Sequence, residues 1–151
     1  MDEAFTKIAT YAADQQLVCV PIQVVKNMCN YLEYFLSNPR VFSLKVERPE
    51  EWMRFINCIF GFSMIWAFGS NYKQGALRFL DNIFRDYFSI LRIPTMDTVF
   101  EYNFDEKTFQ FNHWKDSVPK FDAIVAKTPF FSLVVPTIDT MRYNKQLMML
   151  T

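Results

Sequence analysis

Gly69-Ser70-Asn71-Tyr72-Lys73-Gln74-Gly75 holds the closest pair of glycines in the chain and is the first place to look for a phosphate-binding loop. Such a loop needs G-x-x-x-x-G-K-[ST], because backbone N–H groups free of Cβ crowding must wrap the phosphates. Here the spacing differs, and Ala76-Leu77 follows in place of Lys and Ser or Thr. The stretch reads as a helix cap and a turn. His113, the single histidine, stands between Asn112 and Trp114 at the end of an expected strand, where a surface or hydrogen-bonded imidazole is ordinary. No G-x-S-x-G elbow supplies a nucleophile for it. Asp105-Glu106 reads as a solvated turn and not as a pair for acid–base work. Cys19, Cys29 and Cys58 are odd in number and widely spaced, without a C-x-x-C pair, which argues against a zinc site or a disulfide framework and for a reducing compartment.

The 151 residues suffice for one ordinary domain. Hydrophobic residues make up 51% and aromatics 18%, with 17 Phe, 7 Tyr and 3 Trp, which excludes a polar, disordered linker. Sixteen basic and sixteen acidic residues cancel, so neither a nucleic-acid footprint nor a polybasic membrane patch is visible. The aromatics do not alternate with basic residues as a single-strand platform requires; their helical and strand spacings point to a core. The opening MDEAFTK lacks the apolar region of a secretory signal. Phe55–Phe68 is apolar but spans 14 residues, short of the ~20 a membrane helix needs. It reads as a helix buried inside protein.

Four helices are expected over the first two-thirds. Asp2 caps one that runs to about Gln16, with Phe5, Ile8 and Ala12 on a stripe. Pro21 opens a second, in which Ile22, Val25, Cys29, Leu32 and Leu36 form the apolar stripe and Asn38-Pro39 the stop. Arg48-Pro49-Glu50-Glu51 opens a third, apolar nearly all round, with Gly69 as its left-handed C-terminal cap. The fourth spans about Gln74 to Leu91, with Leu77, Leu80, Phe84, Tyr87 and Leu91 inward. Arg78, Asp81, Arg85 and Asp86 lie on its solvated face, including an Asp81–Arg85 pair.

The period then changes. Thr98–Phe104 alternates, Asp105–Thr108 turns, and Phe109 and Phe111 alternate again, which is a β-hairpin. Residues 113–129 read as an irregular connection and Phe130–Val135 as a short extended run. Thr137 or Asp139 caps a last helix carrying Met141, Leu147, Met148 and Leu150. Leu150-Thr151 carries no stop signal, so a continuation beyond it is expected. The fold class is mainly α: a helical bundle, a small hairpin connector and a terminal helix.

Two stretches say more. IFGFSMIWAFGS precedes a charged helix, then DTVFEYNFD and HWKDSVPKF; LVVPTIDTMRYNKQLMML closes the chain. In this order they resemble the dynein heavy chain, an AAA+ motor, at the junction of its second and third AAA+ modules. The block V-P-T-x-D-T-x-R is the most specific part of the match, and VFEYNFD with the RYN ending is nearer the axonemal than the cytoplasmic type. The resemblance implies that residues 1–91 are the helical lid of the second module, 92–129 the hairpin connector and 130–151 the start of the third. It implies that the piece is not an enzyme, that the parent binds ATP or ADP and Mg, and that the Walker A loop follows Thr151. By the same analogy Val135, Pro136 and Thr137 are candidate adenine neighbours, although a turn capping the last helix accounts for them equally. Arg142 is either a surface charge or an inter-module contact.

The implied role is mechanical: a stiff lid couples nucleotide state between modules during ATP-driven movement on microtubules. Its partners are the neighbouring modules and, through the parent, intermediate chains, light chains and microtubules, with no nucleic acid and no membrane. The setting is the cytoplasmic cytoskeleton, in the ciliary or flagellar axoneme. The alternative is a free-standing helical protein-interaction domain, in which the aromatic surplus forms a groove for a partner helix.

Overall fold

The computed structural model describes residues 20–39, 41, 47–119 and 136–151. The expected first helix, the Phe130–Val135 run and Cys19 lie outside them. Within them are α1 (Pro21–Leu36), α2 (Pro49–Gly69), α3 (Leu77–Tyr87) and α4 (Ile138–Leu150), with a two-stranded antiparallel sheet of β1 (Tyr102–Asp105) and β2 (Gln110–His113). Short 3₁₀ turns flank α3 at Gln74–Ala76 and Ser89–Leu91, and others precede and follow the hairpin at Val99–Glu101 and Trp114–Ser117. The expected mainly α architecture is the one observed.

Pro21 opens α1 as expected, since its missing N–H would have no partner there. The face that turns inward keeps Leu32 and Leu36 of the expected stripe, both packed against the core, but not its first turns. Ile22 and Val25 are 71% and 52% exposed, while Tyr31 and Phe35 are buried, backed by the partly buried Val24 and Met28. These four positions also step by four, three and four. The helix carries two apolar stripes, and the aromatic one removes more area from water when it packs on α2.

α2 is the central helix, with ten buried residues from Phe55 to Gly69. Among the described residues no helix is long and apolar enough to cross a membrane. Ser63 is fully buried, and its hydroxyl donates to the Ile59 carbonyl at 2.7 Å. Gly69 does not cap the helix in a left-handed conformation; the C-cap is Ser70, right-handed with φ −62°. Gly69 is small because the Phe100 ring lies where a Cβ would stand, and Leu91 sits on Gly61 in the same way. Close approach, not backbone freedom, explains both glycines.

The hairpin begins later than expected. Val99–Glu101 coils as a 3₁₀ turn, so Val99 and Phe100 are both buried where alternation put them on opposite faces. From Tyr102 the alternation holds, with Tyr102 and Phe104 inward and Phe111 opposite Phe104. The reversal occupies residues 106–109. Asp105 organises it: one carboxylate oxygen accepts from the Lys107 N–H at 2.9 Å and the other from the Thr108 hydroxyl at 2.8 Å. The backbone hydrogen bond from Lys107 holds its pKa below the usual carboxylate range. Phe109 closes the turn with φ 55°, a left-handed conformation unusual for a side chain of its size. Its ring lies 5.4 Å from Phe55, so the contact with α2 accompanies the strained backbone.

Ring contacts join these elements into one core. Phe109, Phe55, Phe104, Phe35, Phe62, Trp66, Phe100, Phe84 and Phe88 follow one another with centroids 5.4–6.3 Å apart. Trp114 meets Trp66 edge-on at 6.1 Å, and its indole N–H donates to the Phe100 carbonyl at 3.1 Å. Each such pair adds ~0.5–1.5 kcal/mol beyond area burial.

At an open helical site Gly→Ala gains about 0.5–1 kcal/mol. Gly69→Ala is expected instead to cost about 1–3 kcal/mol by overpacking against Phe100, read by urea unfolding. A stabilised variant would show that the ring yields freely.

Candidate functional site

Of the three sequence-predicted site residues, Val135 lies outside the described residues. Thr137 is the N-cap of α4 in a reciprocal capping box with Thr140. Its N–H donates to Thr140 Oγ1 at 2.7 Å and its Oγ1 accepts from the Thr140 N–H at 3.2 Å. Its carbonyl accepts from Met141 N–H. Every polar group of Thr137 is therefore engaged within the cap, as the capping-turn alternative requires. Pro136, half-buried, has no N–H, so only its ring and carbonyl could meet a base. Neither residue lines any of the cavities described below.

The structure brings together a different set of residues, at the joints between bundle, hairpin and α4. Arg85 is not a solvated helix charge. Its Nε donates to both Asp81 oxygens at 3.0 and 3.1 Å. Its Nη1 donates to the Ile93 carbonyl at 3.1 Å, and Nη2 to those of Pro94 and Asp97 at 2.9 and 2.6 Å. Asp81 Oδ1 also accepts from the Val99 N–H at 2.7 Å. The pair thereby pins the 93–99 segment to α3. The planar guanidinium suits this task, because it aims several donors at once. Arg78 is exposed on the same helix, as expected of a solvated charge.

Arg142 joins α4 to the residue before β1, with Nη2 2.5 Å from Glu101 Oε2. The weaker approach to Asp139 at 3.8 Å is local to the helix. One turn later Lys145 enters a cavity of about 670 Å³ between the end of α1, α2, the hairpin and α4, lined among others by Asn38, Phe55, Asn103, Asp105 and Glu106. Burial pulls the Lys145 ammonium below its ordinary pKa, against the opposing pull of Glu106 and Asp105. A further cavity of about 530 Å³ continues along α1 and the end of α4, sharing Asn38 and Glu106. The buried positions of α4 are Gln146 and Met149, with Leu150 packed partly buried against the core; of the other apolar residues it carries, Leu147 and Met148 are exposed. Arg142 and Lys145 account for the difference: their ion pair and cavity lie on the face that the helix presents to the hairpin.

His113 closes β2. Its Nδ1 accepts from the Lys115 N–H at 3.0 Å, so the neutral ring carries its proton on Nε2, 3.3 Å from Asp97 Oδ2. The imidazole is a cap and a link to the pinned segment. Cys58 is a buried free thiol, pushed up in pKa by burial with partial relief from Arg54; Cys29 is free and exposed. Among the described residues no group of three His, Cys, Asp or Glu could hold a metal ion. The Arg85 clamp escaped sequence reasoning because its acceptors are carbonyls of a turn; the visible signals were the Asp81–Arg85 spacing and the nearby Ile93-Pro94.

Arg85→Ala is expected to cost about 1.5–3 kcal/mol, since it removes charge-assisted hydrogen bonds. Arg85→Lys is expected to recover less than half of that loss in urea unfolding, because one ammonium cannot reach Asp81 and three carbonyls together. Lys145 has a folded pKa below its unfolded one, so the unfolded chain binds more protons between the two values and stability rises with pH there. Tyr31, pushed by burial to about 12, contributes the opposite trend above pH 10. The stability difference between the chain and Lys145→Met isolates the lysine: it should favour the variant at neutral pH and shrink as pH rises toward 10.5.

The comparisons agree with this architecture. The family model described as Dynein heavy chain AAA lid domain matches residues 2–116, bundle and hairpin together. Dynein axonemal heavy chain 2 of Mus musculus is 30% identical over 145 residues, covering 95% of this chain and 3% of that protein. Its Homo sapiens counterpart is 32% identical over 95 residues, covering 63% and 2%. Dynein axonemal heavy chain 11 of Sus scrofa is 28% identical over 123 residues, covering 79% and 3%. The chain thus spans only 2–3% of the length of these relatives. It belongs to the dynein heavy chain family, of axonemal type, and carries an AAA lid domain of that family's motor ring.

Proposed function

We propose that this chain is a mechanical coupling block: the lid of the second AAA+ module (1–91), a hairpin connector (92–129) and the opening of the third module (130–151). It performs no bond-breaking. The observation that carries this reading is the single aromatic core running from the hairpin turn to the end of α3. Close-packed interiors transmit displacement instead of absorbing it. A lid that moves with nucleotide in its own module would therefore carry the hairpin with it. Arg142–Glu101 would pass the motion to α4 and so to the third module. In that module Val135, Pro136 and Thr137 would flank the adenine of ATP or ADP, with Mg and phosphates held by other residues of the parent.

In this reading the partners are the adjoining modules and, through the parent heavy chain, microtubules and the intermediate and light chains of a ciliary or flagellar axoneme. Loosening the core should then uncouple motion from hydrolysis. In a heavy chain carrying this segment, Trp114→Ala is expected to slow microtubule gliding at least about threefold, while basal ATP turnover falls less. Equal loss of both, or loss of neither, would contradict the coupling role. The purified 151-residue chain should show no ATP turnover; turnover abolished by a point change within it would contradict the non-catalytic reading.

A further inference from the structure

A groove of about 620 Å³ runs between the middle of α2 and the Ser89–Arg92 turn. Leu91, seated on Gly61, fixes its floor, and Arg54 and Arg92 line it together with Asn57, Cys58 and Ile90. Both arginines are exposed, and among the described residues neither has a carboxylate within ion-pair distance. The nearby Glu51 is held by Arg48 at 3.2 Å; Glu50, exposed one turn before Arg54, makes no such pair. Arg92 is held with φ 53°, a left-handed conformation that costs a non-glycine residue about 1–2 kcal/mol. Such positions cluster at ligand clamps. The apolar share is as clear. Ile90 lines the groove and is 70% exposed.

We infer that this groove binds an acidic peptide segment of a partner, with two carboxylates flanking an aliphatic side chain. Each guanidinium matches one carboxylate in a two-point pair, and Ile90 with Leu91 meets the aliphatic residue between them. The chain's balanced total charge, with sixteen basic and sixteen acidic residues, argues against a general polyanion surface. The apolar rim likewise suits a peptide better than a phosphate backbone.

Fluorescence anisotropy of the full 151-residue chain with a fluorescein-labelled peptide of alternating Glu and Leu tests the assignment. The expected result is saturable, salt-sensitive binding, about tenfold tighter than for the Gln–Leu counterpart. Arg54→Glu and Arg92→Glu should each weaken it roughly threefold or more, and the double variant about tenfold or more. Ile90→Asp should weaken it too, whereas Arg78→Glu, outside the groove, should leave it unchanged; circular dichroism verifies that each variant is folded. No saturable binding, equal binding of the Gln–Leu peptide, or equal loss in Arg78→Glu would overturn the inference. Displacement of the peptide by oligo-dT as effectively as by unlabelled peptide would also overturn it, marking a general polyanion site.

Discussion

The seating of Phe100 against Gly69 and Trp66 is the constraint on which the rest of the architecture depends. Phe100 is delivered by the turn that follows the pinned 93–99 segment, and it fills the space beside α2 that only a glycine leaves open. From that position it touches Phe84 of α3 and receives the indole hydrogen bond of Trp114 through its carbonyl. One residue therefore ties two helices, the strand that follows it and the turn after the second strand. A buried aromatic of this kind cannot be moved without disturbing all its neighbours, because close-packed cores have few alternative arrangements.

The polar contacts work with that seat. Asp81 and Arg85 fix the loop from which Phe100 projects, and they meet three of its backbone carbonyls and the Val99 N–H in place of water. Glu101, the next residue, receives Arg142 from α4. Apolar packing thus sets where the hairpin sits, while the ion pairs set which segments travel with it. Such a division would let the chain keep its shape in the coupling role proposed above.

Much of this was legible in the residues. Pro21 at the start of α1 and Thr137 at the start of α4 follow from what a helix N-terminus needs, and the all-round apolar character of Phe55–Phe68 announced a central helix. Alternation found the hairpin from Tyr102 onward. What failed did so for tertiary reasons. α1 offered two apolar stripes of equal spacing, and the partner surface chose Tyr31 and Phe35 over Ile22, Val25 and Cys29 while keeping Leu32 and Leu36 partly buried. Gly69 was read through backbone conformation when a neighbouring ring was the cause, and Arg85 through its helical partner when three distant carbonyls mattered more. Of the site residues, Thr137 emerged as a cap, while Lys145 and Arg142 gained their surroundings only once α4 lay against the hairpin.

The central claim is that bundle and hairpin open as one unit. Native-state hydrogen exchange under increasing urea tests it most directly, by comparing the hydrogen-bonded amides of the β1–β2 ladder with those of Phe62 and Trp66 in α2. One shared opening free energy and one urea dependence are expected for all of them. Hairpin amides that open at about 2 kcal/mol or more below the α2 amides, with a shallower urea slope, would contradict it.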